Sequence, residues 1–130
     1  MNEQVKQEWI DALLSGDYTQ GQKRLHYTDS EDGIERFCCL GVLCDLAKKN
    51  GIVDIESYTY VDGTKDILYA GQSAVLSSDV MEWAGISTSN GMYDAGKVTE
   101  EFLMGTSCLS DINDKGASFE QIAIIIQDQF

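Results

Sequence analysis

The segment Phe37-Cys38-Cys39-Leu40-Gly41-Val42-Leu43-Cys44-Asp45-Leu46-Ala47-Lys48-Lys49 constrains this chain more than any other part of it. Wound as a helix it is apolar almost all round, and a helix without a polar face has to lie at the centre of a fold. The spacing predicts a helix over 34–49. Lys48 and Lys49 complement the dipole at its C-terminal end, and Asn50-Gly51 closes it. Gly41 inside the helix costs about 1 kcal/mol against Ala. Close approach of another backbone, or of a ligand, would explain that cost.

Shorter patterns surround this centre. Residues 2–15 form an amphipathic helix, with Val5, Trp9, Ala12 and Leu13 at helical spacing and Gly16 as its stop. The polar, mildly basic stretch Tyr18 to Tyr27 follows, then the turn-forming loop Thr28 to Gly33. Alternation over 57–70 about Asp62-Gly63 is a hairpin signal. A short helix spans Ser78–Ala84 with Gly85 after it, and Asn90-Gly91 marks a tight turn. Residues 106–115 make another short helix, with Leu109 and Ile112 inward. Ser118 and Gln121 then give the capping box of a final helix ending near Phe130. The expected fold is a single α+β domain over 1–130. Four to five helices surround the buried central helix, with a small antiparallel sheet from 57–70 and a second contribution from 86–99.

Charge narrows the function. The chain carries 22 Asp+Glu against 9 Lys+Arg, a net charge of −13. That balance works against binding the phosphates of nucleic acid or an anionic membrane. The longest apolar run, Ile122 to Ile126, is far short of the ~20 residues that span a bilayer. The N-terminus has acidic residues where a signal peptide needs basic ones, so a cytoplasmic location is expected. Cys38, Cys39, Cys44 and Cys108 follow neither a disulfide framework nor a zinc pattern, and buried free thiols are expected. Asp111 to Gly116 starts like a calcium loop, but Lys115 and Ile122 stand where ligands are needed. The helices over 106–130 resemble the start of a helix-turn-helix, yet have no Lys or Arg after Lys115 to face a groove. No phosphate-loop, dinucleotide or zinc-protease motif occurs, so no cofactor or metal is expected.

One cluster stands out. Lys23, Arg24, His26 and Arg36 lie within fourteen residues, beside Tyr18, Tyr27 and Phe37, and lead into the start of the central helix. Free N–H groups at a helix N-terminus, with Arg and aromatic rings beside them, suit an anion or a nucleotide. The opposing reading is that these cations neutralise a very acidic chain through surface pairs. The ligand site expected on the first reading comprises Trp9, Tyr18, Gln20, Lys23, Arg24, His26, Arg36 and Phe37.

Three blocks carry a resemblance: Trp9-x-x-Ala12-Leu13-x-Ser15-Gly16-x-Tyr18-x-Gln20-Gly21, then CCLGVLCDL at 38–46, then IND-x-G-x-SF-x-x-IA-x-x-I at 112–126. Together they resemble small proteins encoded by tailed bacteriophages. The resemblance implies synthesis in an infected bacterial cytoplasm and brings no catalytic residues. Small phage accessory proteins commonly act by binding, blocking a host protein or sequestering a small host signal. The leading expectation is therefore a non-enzymatic, counter-defence protein that sequesters a small anionic, nucleotide-like host signal. The alternative is an acidic inhibitor of a host protein, a DNA mimic. A small hydrolase using Cys38 or a carboxylate comes third, and self-association is left open. With no metal needed to fold, a chelator leaves the thermal midpoint unchanged; a fall of many degrees would overturn the reading of the cysteines.

Overall fold

A computed structural model describes residues 1–94 and 107–130. At its centre lies α2 (Cys39–Lys49), buried without a break from Cys39 to Cys44 and again at Ala47. Helix α1 (Glu3–Leu14) packs against it and against α5 (Phe119–Gln129), while α3 (Ser78–Ala84) and α4 (Leu109–Asp114) touch it elsewhere. Trp9, Leu25, Leu40, Leu43, Leu109, Ile112, Ile122 and Ile126 are fully buried in one cluster. Burying each such aliphatic side chain contributes roughly 1.5–3 kcal/mol.

Four short strands form one antiparallel sheet in the order β2-β1-β4-β3. They are β1 (His26–Thr28), β2 (Glu35–Phe37), β3 (Ile55–Thr59) and β4 (Lys65–Tyr69). The hairpin β3–β4 turns through Val61-Asp62-Gly63, with Tyr60 and Thr64 bonded across the loop and Gly63 at φ 93°. That is the three-residue hairpin loop whose last position favours glycine.

The fold is α+β, with five helices and this sheet among the described residues. The central helix is shorter than its apolar pattern. Residues 35–37 pair as a strand with 26–28 across the Asp29–Gly33 turn, and Cys38, in extended backbone, is the N-cap. Pairing with β1 outcompetes helix here: Asp32 Oδ1 accepts the Ile34 N–H at 2.8 Å within the turn, and the next three residues bond across to 26–28. The second sheet contribution is thus 26–37 rather than 86–99. Of that latter range, Met92 makes an isolated bridge with Cys108, and 95–99 lie outside the described residues. The helix expected over 106–115 runs 109–114; residue 106 lies outside the described residues.

The starts of α1 and α5 are made by local chemistry. Asn2 Oδ1 accepts from the N–H groups of Gln4 and Val5 at the start of α1. Ser118 and Gln121 make the reciprocal capping box of α5, at 3.2 and 2.9 Å.

Gly41 packs against main chain. A Cβ built on it would lie 1.6 Å from the carbonyl oxygen of Leu25. That oxygen also accepts the Cys38 N–H at 3.2 Å, and the Leu25 N–H donates to the Ser73 carbonyl at 2.8 Å. The strand entry is therefore held on both sides and cannot retreat. Gly41→Ala should destabilise the protein by about 3 kcal/mol or more, the upper range for overpacking, despite alanine's better helix propensity. Urea denaturation checks this, and an unchanged or raised midpoint would contradict it.

Candidate functional site

The start of α2, expected to face a ligand, is closed from inside by Asn113. This fully buried side chain accepts the Cys39 N–H at 3.1 Å and the Gln20 Nε2–H at 3.0 Å, and donates Nδ2–H to the Gly21 carbonyl at 2.8 Å. Gln20 also donates to the Ala117 carbonyl at 2.7 Å. Trp9 donates its indole N–H to the Cys39 carbonyl at 2.9 Å, with its ring wholly buried. The three sequence blocks 9–21, 38–46 and 112–126 thus meet in one polar network around the first turn of α2. Their unusual residues are there satisfied by one another.

The four cations are not brought together. Arg36 chelates Asp32 with both terminal nitrogens, at 2.7 and 3.2 Å, with Asp29 at 3.7 Å. Arg24 faces the buried carboxylate of Asp66 at 3.4 Å and lies over the rings of Tyr27 and Tyr60. Lys23 is exposed, in left-handed backbone (φ 71°), and its N–H donates to Asp114. His26 is buried between the rings of Phe37 and Tyr69. Phe37 itself is buried. Tyr18 rests edge-on against Phe37, donates its hydroxyl to Asp45 and receives Lys49. Cys38 is buried, and burial pushes its thiol up to about 11, which keeps it protonated at neutral pH.

Two cavities flank the 17–22 segment. One, of about 310 Å³, is lined by Gln20, Gly21, Gln22, Tyr27, Arg36 and Gly116. The other, of about 470 Å³, has Asp17, Glu35 and Asp45 around the rings of Tyr18 and Phe37, with Lys49 the cation among them.

The outer face of the sheet presents side chains that sequence reasoning did not single out. The register sets Arg36, Tyr27, Asp66 and Tyr58 in one row across four strands. Tyr60 donates its hydroxyl to Asp66 at 2.7 Å and packs edge-on against Tyr58 at 4.8 Å. Tyr58 is 57% exposed and Tyr60 40%, and Val61 stands fully in solvent at the hairpin tip. The period-2 run at 57–61 marked the hairpin; two tyrosines on one face of it were the overlooked signal. Asp54, Glu56 and Asp62 are exposed along the same hairpin, and Glu31 and Asp32 lie in the turn between β1 and β2. That turn abuts the hairpin loop through Ser30 and Thr64.

Residues 1–130 match a single family throughout. The chain belongs to the family described as a domain of unknown function, DUF8296. No curated protein and no solved structure matches it. No helix among the described residues is long and apolar enough to cross a membrane.

In this DUF8296 chain His26 is held in one tautomer. An ionised carboxylate only accepts, so the Glu35 contact places a proton on Nε2, and the neutral ring then accepts the Tyr69 hydroxyl proton at Nδ1, 2.7 Å away. Burial raises the Tyr69 pKa far above the usual phenol value, so the hydroxyl remains a donor. A proton on Nδ1 would reverse that bond, leave the Tyr69 hydroxyl proton without this acceptor and place a charge between two rings. Burial accordingly lowers the His26 pKa below 6.5, and it outweighs the opposing pull of Glu35. The folded state therefore disfavours the proton: the contribution to stability is complete above about 6.5 and is lost as the pH falls below it. His26 is the sole histidine. Its imidazole signals in an NMR titration should have a midpoint below 6.5, and a midpoint above that value would show that the Glu35 pair dominates.

Proposed function

We propose that this chain is an accessory protein of a tailed bacteriophage, acting in the infected bacterial cytoplasm by binding. Its target is a host protein whose basic, DNA-facing surface is met by the acidic surface of this chain. The observation that carries the reading is how the charges are partitioned. Arg24, Arg36 and Lys49 are held against Asp66, Asp32 and Asp45, while Glu31, Asp54, Glu56, Asp62, Asp111 and Asp114 stand exposed. Cations so paired do not form an anion pocket. Exposed like charges steer a basic partner toward the surface and suppress acidic ones.

Affinity capture from a bacterial host lysate, followed by cross-linking and mass spectrometry, tests this. The expected partner is a DNA-binding protein cross-linked through its DNA-contacting surface, released by added duplex DNA and by raised salt. A partner held equally well in excess DNA and high salt would overturn the reading. The 310 Å³ cavity beside Arg36 favours a second reading, sequestration of a small nucleotide-like signal. A thermal-shift screen against cyclic and ADP-ribose-type nucleotides separates the two, because a ligand of the folded state raises the midpoint. On the second reading Arg36→Ala abolishes that rise; on the first no nucleotide produces one.

A further inference from the structure

The two edges of the sheet are treated differently. Beside β2 the chain supplies its own cover: the Gly21 N–H donates to the Phe37 carbonyl at 2.7 Å and the Phe37 N–H to the Thr19 carbonyl at 2.9 Å. Beside β3 no described strand follows, and all five residues Ile55–Thr59 are exposed. The ladder determines which groups face outward. The Tyr60 N–H bonds to Thr64 and the Ala70 N–H to the Asp54 carbonyl, so the even-numbered residues pair with β4. Antiparallel alternation then turns the N–H and C=O groups of Ile55, Ser57 and Thr59 toward solvent.

Protein edges are ordinarily blunted by proline, by lysine, by a bulge or by a covering loop. The chain contains no proline, β3 contains no lysine or arginine, and its register with β4 runs unbroken from Ile55 to Thr59. Its charges are carboxylates: Glu56 within the strand, Asp54 before it and Asp62 in the loop after it, with Lys65 across on β4. The two faces of the strand also differ. Glu56 and Tyr58 lie on one, Ile55, Ser57 and Thr59 on the other.

We propose that β3 is a docking edge for an extended, positively charged segment of a partner protein, which adds to the sheet as a further strand. Lys or Arg at alternate positions of the segment meet Glu56, Asp54 and the ring faces of Tyr58 and Tyr60, and apolar residues between them meet Ile55. This rests on the reading above that the partner is basic. It adds the place and the geometry: main-chain hydrogen bonds to Ile55, Ser57 and Thr59. A second copy is the disfavoured occupant, since each carries −13 and the same carboxylates would be drawn together.

The probe is a synthetic hexapeptide of alternating Lys and Val, added at low salt to the ¹⁵N-labelled full chain. Amide exchange of Ile55, Ser57 and Thr59 should slow by about tenfold or more, as expected for newly bonded N–H groups, while Glu56 and Tyr58, already bonded to β4, change little. Ser57→Pro removes one outward N–H and leaves the inner ladder, an edge position where proline is tolerated. It should keep the near-UV circular dichroism and weaken the peptide by about tenfold, the worth of one net hydrogen bond. Glu56→Gln should weaken it further at low salt than at high salt.

If the peptide binds but those three amides are not protected, or Ser57→Pro binds it equally, the edge is not the site and the basic-partner reading stands. If the peptide does not bind at all, the edge proposal falls, while DNA competition against a folded partner still judges that reading. Protection that appears without peptide and grows with protein concentration would make a second copy the occupant and overturn the proposal.

Discussion

The Leu25 carbonyl reaches the first turn of α2 because Gly41 has no Cβ to keep it away, and much of the fold follows from that approach. The carbonyl accepts the Cys38 N–H, which ends β2 and lets the helix begin at Cys39. One residue after Leu25 the chain enters β1, so the sheet is hung directly on the central helix. The next N–H along, that of Cys39, is then taken by Asn113, which brings α4 and the 20–21 segment to the same place. Helix ends buried without partners cost free energy for each orphaned group, and here the partners come from distant parts of the chain. Secondary structure and long-range packing are therefore fixed together at this junction.

Several elements could be read from sequence because their causes are local. Ser78–Ala84 between Ser77 and Gly85, the Ser118–Gln121 capping box, and the Asp62-Gly63 turn each carry their signal within a few residues. The burial of α2 was equally plain, since an apolar helix has nowhere else to go. The start of that helix was not plain. Glu35-Arg36-Phe37 is too short to show a period, and it becomes a strand only because His26-Tyr27-Thr28 folds back upon it. Its place in the sheet is a tertiary decision. The sequence cost of Gly41 was visible, and backbone rather than ligand turned out to be its reason.

The site was less legible than the fold, for a reason of charge. Proximity along the chain suggested that Lys23, Arg24, His26 and Arg36 converge, yet in this acidic protein both arginines find a carboxylate first. Arg36 finds Asp32 four residues away, and Arg24 finds Asp66 from another hairpin. The second pairing has no sequence signature. Trp9 and Gln20 look like binding residues in one dimension, but they serve the junction at Cys39 and Asn113. What the paired cations leave over is the surplus of carboxylates, and that surplus is what a partner would meet.

Asp66 connects this interior pairing to the open edge. A carboxylate only 2% exposed is costly to remove from water; here Oδ2 accepts the Tyr60 hydroxyl, while Oδ1 has no hydrogen bond and is compensated by the Arg24 charge at 3.4 Å. Arg24 comes from the residues just before β1, Asp66 from β4 and Tyr60 from the position just after β3, so the cluster fastens the outer hairpin to the strand that is itself fastened to α2. A two-stranded hairpin is marginal in water on its own. Anchored in this way, β3 is held extended with its outward groups in register before any partner arrives. Ordering of the edge is then already complete, and an incoming segment has only its own chain to order. The same pair that engages Arg24 thus fastens the acidic edge to the strand beside α2.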